Sequence, residues 1–175
     1  MRLGKIFAFF FCSATLIGTS QLSARPSEGI FVGPIIVSTV IDSTVEKVWD
    51  LLIDFKNYEN WNKWYKIEGE AKVNAYIKAL DIDSGRHLDL QISSMEKNHS
   101  ICWIDVTWFT WFGVGGWRCR EIEALPDGKV KLTNHFGYSG IFQIPFKAYT
   151  RQLLVDGMTL ENRNIKEYLE GSKKP

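Results

Sequence analysis

The chain has 175 residues, with 21 lysines and arginines against 20 aspartates and glutamates, and a formal net charge of +1. That length suits one domain once a leader is set aside. A near-neutral chain without a basic patch offers nothing to hold nucleic acid or an anionic membrane surface, while 45% apolar and 14% aromatic residues suffice for a real core and an aromatic-lined cavity.

The first two dozen residues stand apart. Arg2 and Lys5 give a positive start, Ile6 to Ile17 is a mostly apolar run, and the small residues of GTSQLSA follow. The run is short and ends in small polar residues, which reads as a secretory signal peptide over 1–24 rather than a spanning helix. Cleavage after Ser20 leaves Gly18 and Ser20 at the small-residue positions, whereas cleavage after Ala24 puts Leu22 at one of them. The alternative is an uncleaved N-terminal anchor. Cys12 lacks the small residues that precede a lipid-modified cysteine, so no lipoprotein is expected. Loss of this segment removes two positive charges and takes the formal balance to −1. The expected location is the medium, the periplasm or a secretory lumen, with no stable membrane insertion of the mature domain.

GPIIVSTVI (33–41) is apolar and β-branched, a strand. Asp42 or Ser43 then caps a helix over 44–55, with Glu46 at capping-box spacing from Ser43. Val45, Val48, Trp49, Leu51, Leu52 and Phe55 recur on one helical face. The stretch DFKNYENWNKW (54–64) allows one more short helix. Tyr58 and Trp61 would clamp it, and Asn62 is placed to bond backbone at the turn.

Strands follow near 65–72, 74–82, 86–95, 100–108, 117–124 and 129–138, joined by turn chemistry at DSGR, KNHS, FGVGG and PDG. From Phe146 to Leu169 the period is helical again. Phe146, Tyr149, Leu153, Leu160 and Tyr168 line one side, and Leu154, Met158, Ile165 and Leu169 widen it. Gly157 in its middle marks either a gentle bend or a close approach by a ligand or the sheet. The fold class is therefore α+β: seven antiparallel strands in a curved sheet around a long C-terminal helix, with two short helices after the first strand.

This order resembles the helix-grip fold of the START-like (SRPBCC) superfamily, which includes polyketide cyclase/dehydrase-like proteins and plant pathogenesis-related allergens. Three segments carry the resemblance. VEKVWDLLIDFKNYENWNKW is similar to the family's first helix and its F-x-x-Y-x-x-W-N segment. DGKVKLTNHFGYSG is similar to its last strand, and GMTLENRNIKEYLE to its closing helix. The resemblance covers 33–171 as one domain, and the signal peptide departs from many relatives.

In such a meander alternate turns share an end. One end gathers Trp108, Phe109, Trp111, Phe112, Trp117, Ile141, Phe142, Ile144 and Phe146; the other gathers Lys97, Asn98, His99, Asp127 and Lys129. The resemblance implies a cavity mouth at the first end, where an apolar rim suits a hydrophobic ligand. The alternative is that these rings close a solid core.

The ligand-lining residues expected from this are Trp108, Trp111 and Trp117 around the mouth, Trp64 as a cavity wall, Leu88, Leu90, Ile104, Asn134, Phe136 and Tyr138 on the sheet, and Leu153 and Met158 on the helix. Alternation turns Val130, Leu132, Asn134, Phe136 and Tyr138 inward, so Asn134 and Tyr138 need partners, from a strand, water or ligand. His135 should be exposed. Asp105 should face outward with Trp103 and Thr107, opposite Ile104 and Val106. Arg118 and Arg120 form a surface ladder with Glu121 or Glu123, or aim a guanidinium at an enolate.

Cys102 and Cys119 lie on adjacent strands. A hairpin turning near Gly113–Val114 sets them roughly 20 Å apart along the ladder, so two free thiols are expected. Asn98-His99-Ser100 is a glycosylation acceptor if the source is eukaryotic.

Three scattered histidines without ligand spacing predict no metal site, and no phosphate loop or nucleophile elbow is present. No cofactor is expected. The expectation is an exported monomer that binds a lipid, polyketide or terpenoid. The alternative is a polyketide cyclase/dehydratase-like enzyme, with Tyr138, Asn134 and His87 as acid-base or orienting groups. A third possibility is docking on a partner or a membrane through the aromatic rim.

Overall fold

The computed structural model describes residues 33–108, 110, 113 and 115–171, with the side chain of 146 left out. The signal-peptide reading, Cys12 and the rim positions Phe109, Trp111, Phe112 and Phe146 lie outside the described residues and side chains.

Seven strands form one sheet in the order β1-β7-β6-β5-β4-β3-β2. They are β1 Ile35–Ile41, β2 Tyr65–Glu68, β3 Tyr76–Asp81, β4 His87–Glu96, β5 Ser100–Asp105, β6 Gly115–Ala124 and β7 Val130–Ser139. Every neighbouring pair is antiparallel. The sheet is accompanied by two α-helices, α1 Val45–Ile53 and α2 Gln143–Gly171, and by a 3-10 helix over Phe55–Asn60. This is the expected element order, with strand and helix ends adjusted by a few residues.

The cap of α1 falls one residue later than expected. Thr44, not Asp42 or Ser43, accepts the Lys47 amide at 3.4 Å. Asp42 instead donates its backbone N–H to Glu170 of α2 at 2.9 Å. The 3-10 helix buries Phe55 and Tyr58, and Trp61 follows them into the core. Asn62 Oδ1 accepts the amides of Trp64 (2.8 Å) and Tyr65 (3.3 Å), closing the turn into β2.

The inner face of β7 is as alternation predicts, with Val130, Leu132, Asn134 and Tyr138 buried and Phe136 half-buried. The face of β5 is inverted. Ile101 and Trp103 enter the main core, while Cys102 and Ile104 pack with Trp117 and Cys119 on the other side of the sheet. The β4 register explains this: Ile92 faces Trp103 and Leu90 faces Asp105, so the inward Leu90 and Ile92 carry Trp103 in with them. Asp105, half-buried, accepts both the amide (2.8 Å) and the hydroxyl (2.5 Å) of Thr107.

The β5–β6 connection is centred near 110–111, not 113–114, so Cys102 faces Cys119 directly. A disulfide joins them with Cα atoms 4.1 Å apart. The expectation of two free thiols is corrected: three residues of error in the turn had moved the facing position by six. His135 is also corrected, from exposed to buried. Its Nε2 lies 3.0 Å from Glu121, and Lys131 takes Glu123 at 3.4 Å. Those are the outer-face pairs, and the arginines have no part in them.

α2 buries Met158, Glu161, Asn162, Ile165 and Leu169, a stripe at helical spacing. Tyr149, Leu153 and Tyr168, expected on the packed side, are exposed. An apolar-only search selects them because two of the five buried positions are polar. Along the sheet margin Lys147 donates to Gly33 O (2.6 Å), Asn162 to Val37 O (3.3 Å) and Lys166 to Val40 O (2.6 Å). Gly157 is a close approach, and its neighbour is Trp64: a Cβ there would overlap the indole.

Candidate functional site

Between α2 and the inner sheet face lies a buried polar cluster. Arg118 and Arg120 stand two residues apart on β6, so both point inward. Glu161 descends from α2 between them and pairs with both. Tyr58 and Tyr65 donate to the same carboxylate at 3.1 and 3.2 Å. Arg118 also donates to Tyr65 Oη (2.8 Å) and Asn134 Oδ1 (3.0 Å), and Arg120 to Tyr65 Oη. Asn134 in turn donates to Asn162 at 2.5 Å. The Arg120 guanidinium lies 4.4 Å from the Trp103 ring centre, and that of Arg118 5.4 Å from Trp64.

Burial alone would raise the Glu161 carboxyl, but Arg118 and Arg120 outweigh it and hold it below the usual carboxylate range. Burial pulls the Arg120 guanidinium down; Glu161, then Tyr58 and Tyr65, more than restore it, so it stays charged. Burial pushes Tyr65 up and Tyr58 well up. At neutral pH both phenols are therefore neutral donors to an ionised carboxylate.

Beside this cluster, towards the 106–114 loop, Tyr138, Met158 and Ile35 pack with Trp64, Phe136 and Leu154. Tyr138 and Phe136 meet edge-to-face at 5.0 Å. The Tyr138 hydroxyl is 2.8 Å from Thr150 Oγ1, and burial raises its pKa. Beyond lies the apolar end. The Phe142 amide donates to Gly113 O at 3.0 Å, which ties the two loops there. Trp108 (72% exposed), Ile141 (81%), Phe142, Ile144, Tyr149 (88%) and Leu153 all present apolar surface to solvent.

Of the expected ligand-lining residues, Trp64, Asn134, Phe136, Tyr138 and Met158 come together under α2. Leu90 sits in the main core and Leu88 is exposed. Trp108 and Leu153 are exposed. Trp117 lies on the outer face against Gly137, where a Cβ would overlap it, and Ile104 shares that face. His87 is exposed at the start of β4.

Sequence reasoning missed Arg118, Arg120, Glu161, Tyr58, Tyr65 and Asn162 as one cluster. The available signal was Glu161 itself, three residues after Met158 and four before Ile165, a carboxylate on a core stripe that demands cationic partners. A depression of about 740 Å³ beside β2, β3 and β4, lined by Tyr76, Lys78 and Asp89 among others, contains no residue of α2 or of the cluster. Among the described residues, no group of His, Cys, Asp and Glu could hold a metal ion, and no helix is long and apolar enough to cross a membrane.

No family model and no curated protein matches the chain. Solved structures do. A START superfamily protein from Mycobacterium smegmatis superposes with a TM-score of 0.65 at 11% identity, over 81% of this chain and 100% of that one. The fold is the START-like helix grip. A Thalictrum flavum norcoclaurine synthase in complex with a transition-state analogue gives a TM-score of 0.64 at 10% identity, over 81% and 96% of the two chains. BexL, a di-domain ARO/CYC protein from a biosynthetic pathway, gives 0.67 at 11% identity over 82% of this chain and 48% of that one. At such identities the START-like likeness carries the architecture and leaves the activity to the site.

Proposed function

We propose that this chain is an exported START-like domain, 33–171 behind a leader at 1–24, that binds a hydrophobic small molecule: a lipid, a polyketide or a terpenoid. The carrying observation is the exposed apolar rim of Trp108, Ile141, Phe142, Ile144 and Leu153 at one end of the grip. Such a patch is costly to keep in water without an apolar occupant. Under α2, Trp64, Phe136, Tyr138 and Met158 are side chains of the type that line small-molecule sites. The Cys102–Cys119 disulfide supports the export reading, since such bonds persist in oxidising compartments. The domain is proposed to act as a monomer.

The test is organic extraction of the protein purified from its own host, followed by mass spectrometry. A co-purifying apolar molecule is expected, depleted in Leu153→Asp and Ile141→Asp. An empty extract, with no lipid, polyketide or terpenoid bound on addition, rules the reading out.

A second reading is a polyketide cyclase/dehydratase-like enzyme. Tyr138 favours it: burial raises its pKa, so the phenol held by Thr150 stays protonated and can donate to a bound chain. Asn134 is bonded to Arg118 and Asn162, which suits orientation rather than proton transfer. Turnover of a polyketide substrate, lost in Tyr138→Phe with the fold intact, would establish it.

A further inference from the structure

The cluster under α2 holds two guanidiniums and, among the described residues, one carboxylate. It therefore carries one positive charge in excess, and all three side chains are more than nine-tenths buried. An uncompensated charge at that depth is costly.

The hydrogen-bond inventory has the same gap. Arg118 Nε and Arg120 Nε and Nη1 are buried donors without an acceptor. The ring faces of Trp103 and Trp64 offset part of this, but a ring has no net charge. A tyrosinate would balance the site. Burial pushes both Tyr58 and Tyr65 up, so neither supplies it at neutral pH.

Arg118 is the member nearest the apolar end. It pairs with Phe136 across the β6–β7 ladder, and the next inward pair towards the rim is Gly116 with Tyr138. An anion arriving between Trp64, Tyr138 and Met158 meets Arg118 first.

We infer that the ligand is an acid: an apolar body carrying one carboxylate-type head, with the head on Arg118 and Arg120 and the body running past Trp64, Phe136 and Met158 to the rim. This rests on the binding reading above and adds the charge that selects the ligand. A neutral molecule of the same shape can accept a hydrogen bond there but leaves the excess positive charge uncompensated.

Dodecanoate and dodecanol are matched probes, differing in the head alone. Their affinities for the purified protein are read by titration calorimetry near neutral pH. Dodecanoate should bind about tenfold or more tighter, the scale of one charged hydrogen bond. Arg118→Leu, which leaves one cation on one anion, should bring the two within about threefold while a cooperative melt is retained. Arg118→Lys keeps the charge and should keep the preference; it serves if the leucine variant does not fold.

Equal affinities in the wild type, or a preference untouched by Arg118→Leu, overturn the acid-head inference and leave hydrophobic binding standing. A melting shift with chloride alone, neither amphiphile bound, assigns the charge to an inorganic anion and also overturns it. Binding of neither probe, with an empty organic extract, removes the binding reading itself.

Discussion

Glu161 on α2 pairs with Arg120 on β6, 41 residues earlier in the chain, and both side chains are almost wholly excluded from water. With Arg118 on the other carboxylate oxygen, this carboxylate fixes where the last helix sits on the sheet. Its removal leaves two buried cations facing each other.

Glu161→Gln should therefore destabilise the fold by about 3–5 kcal/mol, the cost of breaking a buried pair from one side. Arg118→Met leaves one cation on one anion and should cost clearly less. Urea denaturation of the two variants and the wild type checks the order; equal losses would mean that net charge is not what the cluster balances.

The same carboxyl sets an acid limb. Its folded pKa lies below the ordinary 4.5 because two guanidiniums outweigh the effect of burial. A depressed folded pKa contributes stability above the ordinary value that is lost as pH falls through the folded one. Unfolding free energy should drop on acidification below about pH 5, and Glu161→Gln should flatten that drop. Tyr58 and Tyr65 act in the opposite sense. Their raised pKa values give stability present below the usual phenol value and lost as pH climbs above it. Tyr58→Phe should make the decline above about pH 10 shallower.

Gly157→Ala should destabilise, although alanine is the better helix former by about 1 kcal/mol. The added methyl overlaps the Trp64 indole, and overpacking of this kind costs about 1–3 kcal/mol. In a Trp64→Leu background the same change should become neutral or stabilising. A double-mutant cycle by thermal melts reads the coupling; additivity would show that the indole does not set this position.

Reduction should add two protons to the intact mass, one for each of Cys102 and Cys119. The bond closes a loop with a sequence separation of 17. Cys102→Ala with Cys119→Ala should cost about 3 kcal/mol by loop-closure entropy. A mass unchanged by reductant would sink the pairing.

The architecture was legible because each element keeps its own period. Alternation in 130–138 and the helical spacing of Val48, Trp49 and Leu52 leave little choice. The register across β5 and β6 was not legible, since the segment 106–114 offers more than one place to turn, and only the partner strand decides. The arginines were misplaced for a related reason. On β6, Trp117 and Cys119 share one face while Ile122 and Ala124 accompany Arg118 and Arg120 on the other, so apolar count does not choose between the sides. Both faces of that strand are buried, which single-strand alternation cannot express. On α2 the core stripe includes Glu161 and Asn162, and a search for apolar residues passes over it.

The side chains that α2 lays along β1 bear on how the molecule avoids its own kind. Among the described residues β1 ends the sheet, with β7 as its one strand neighbour. A bare margin of that sort recruits strands from other chains. Lys147, Asn162 and Lys166 occupy carbonyls along and just before it, and Glu170 takes the amide just after it. A chain cut short before Glu161 would lose that carboxylate and most of that cover, and should polymerise edge to edge rather than merely unfold.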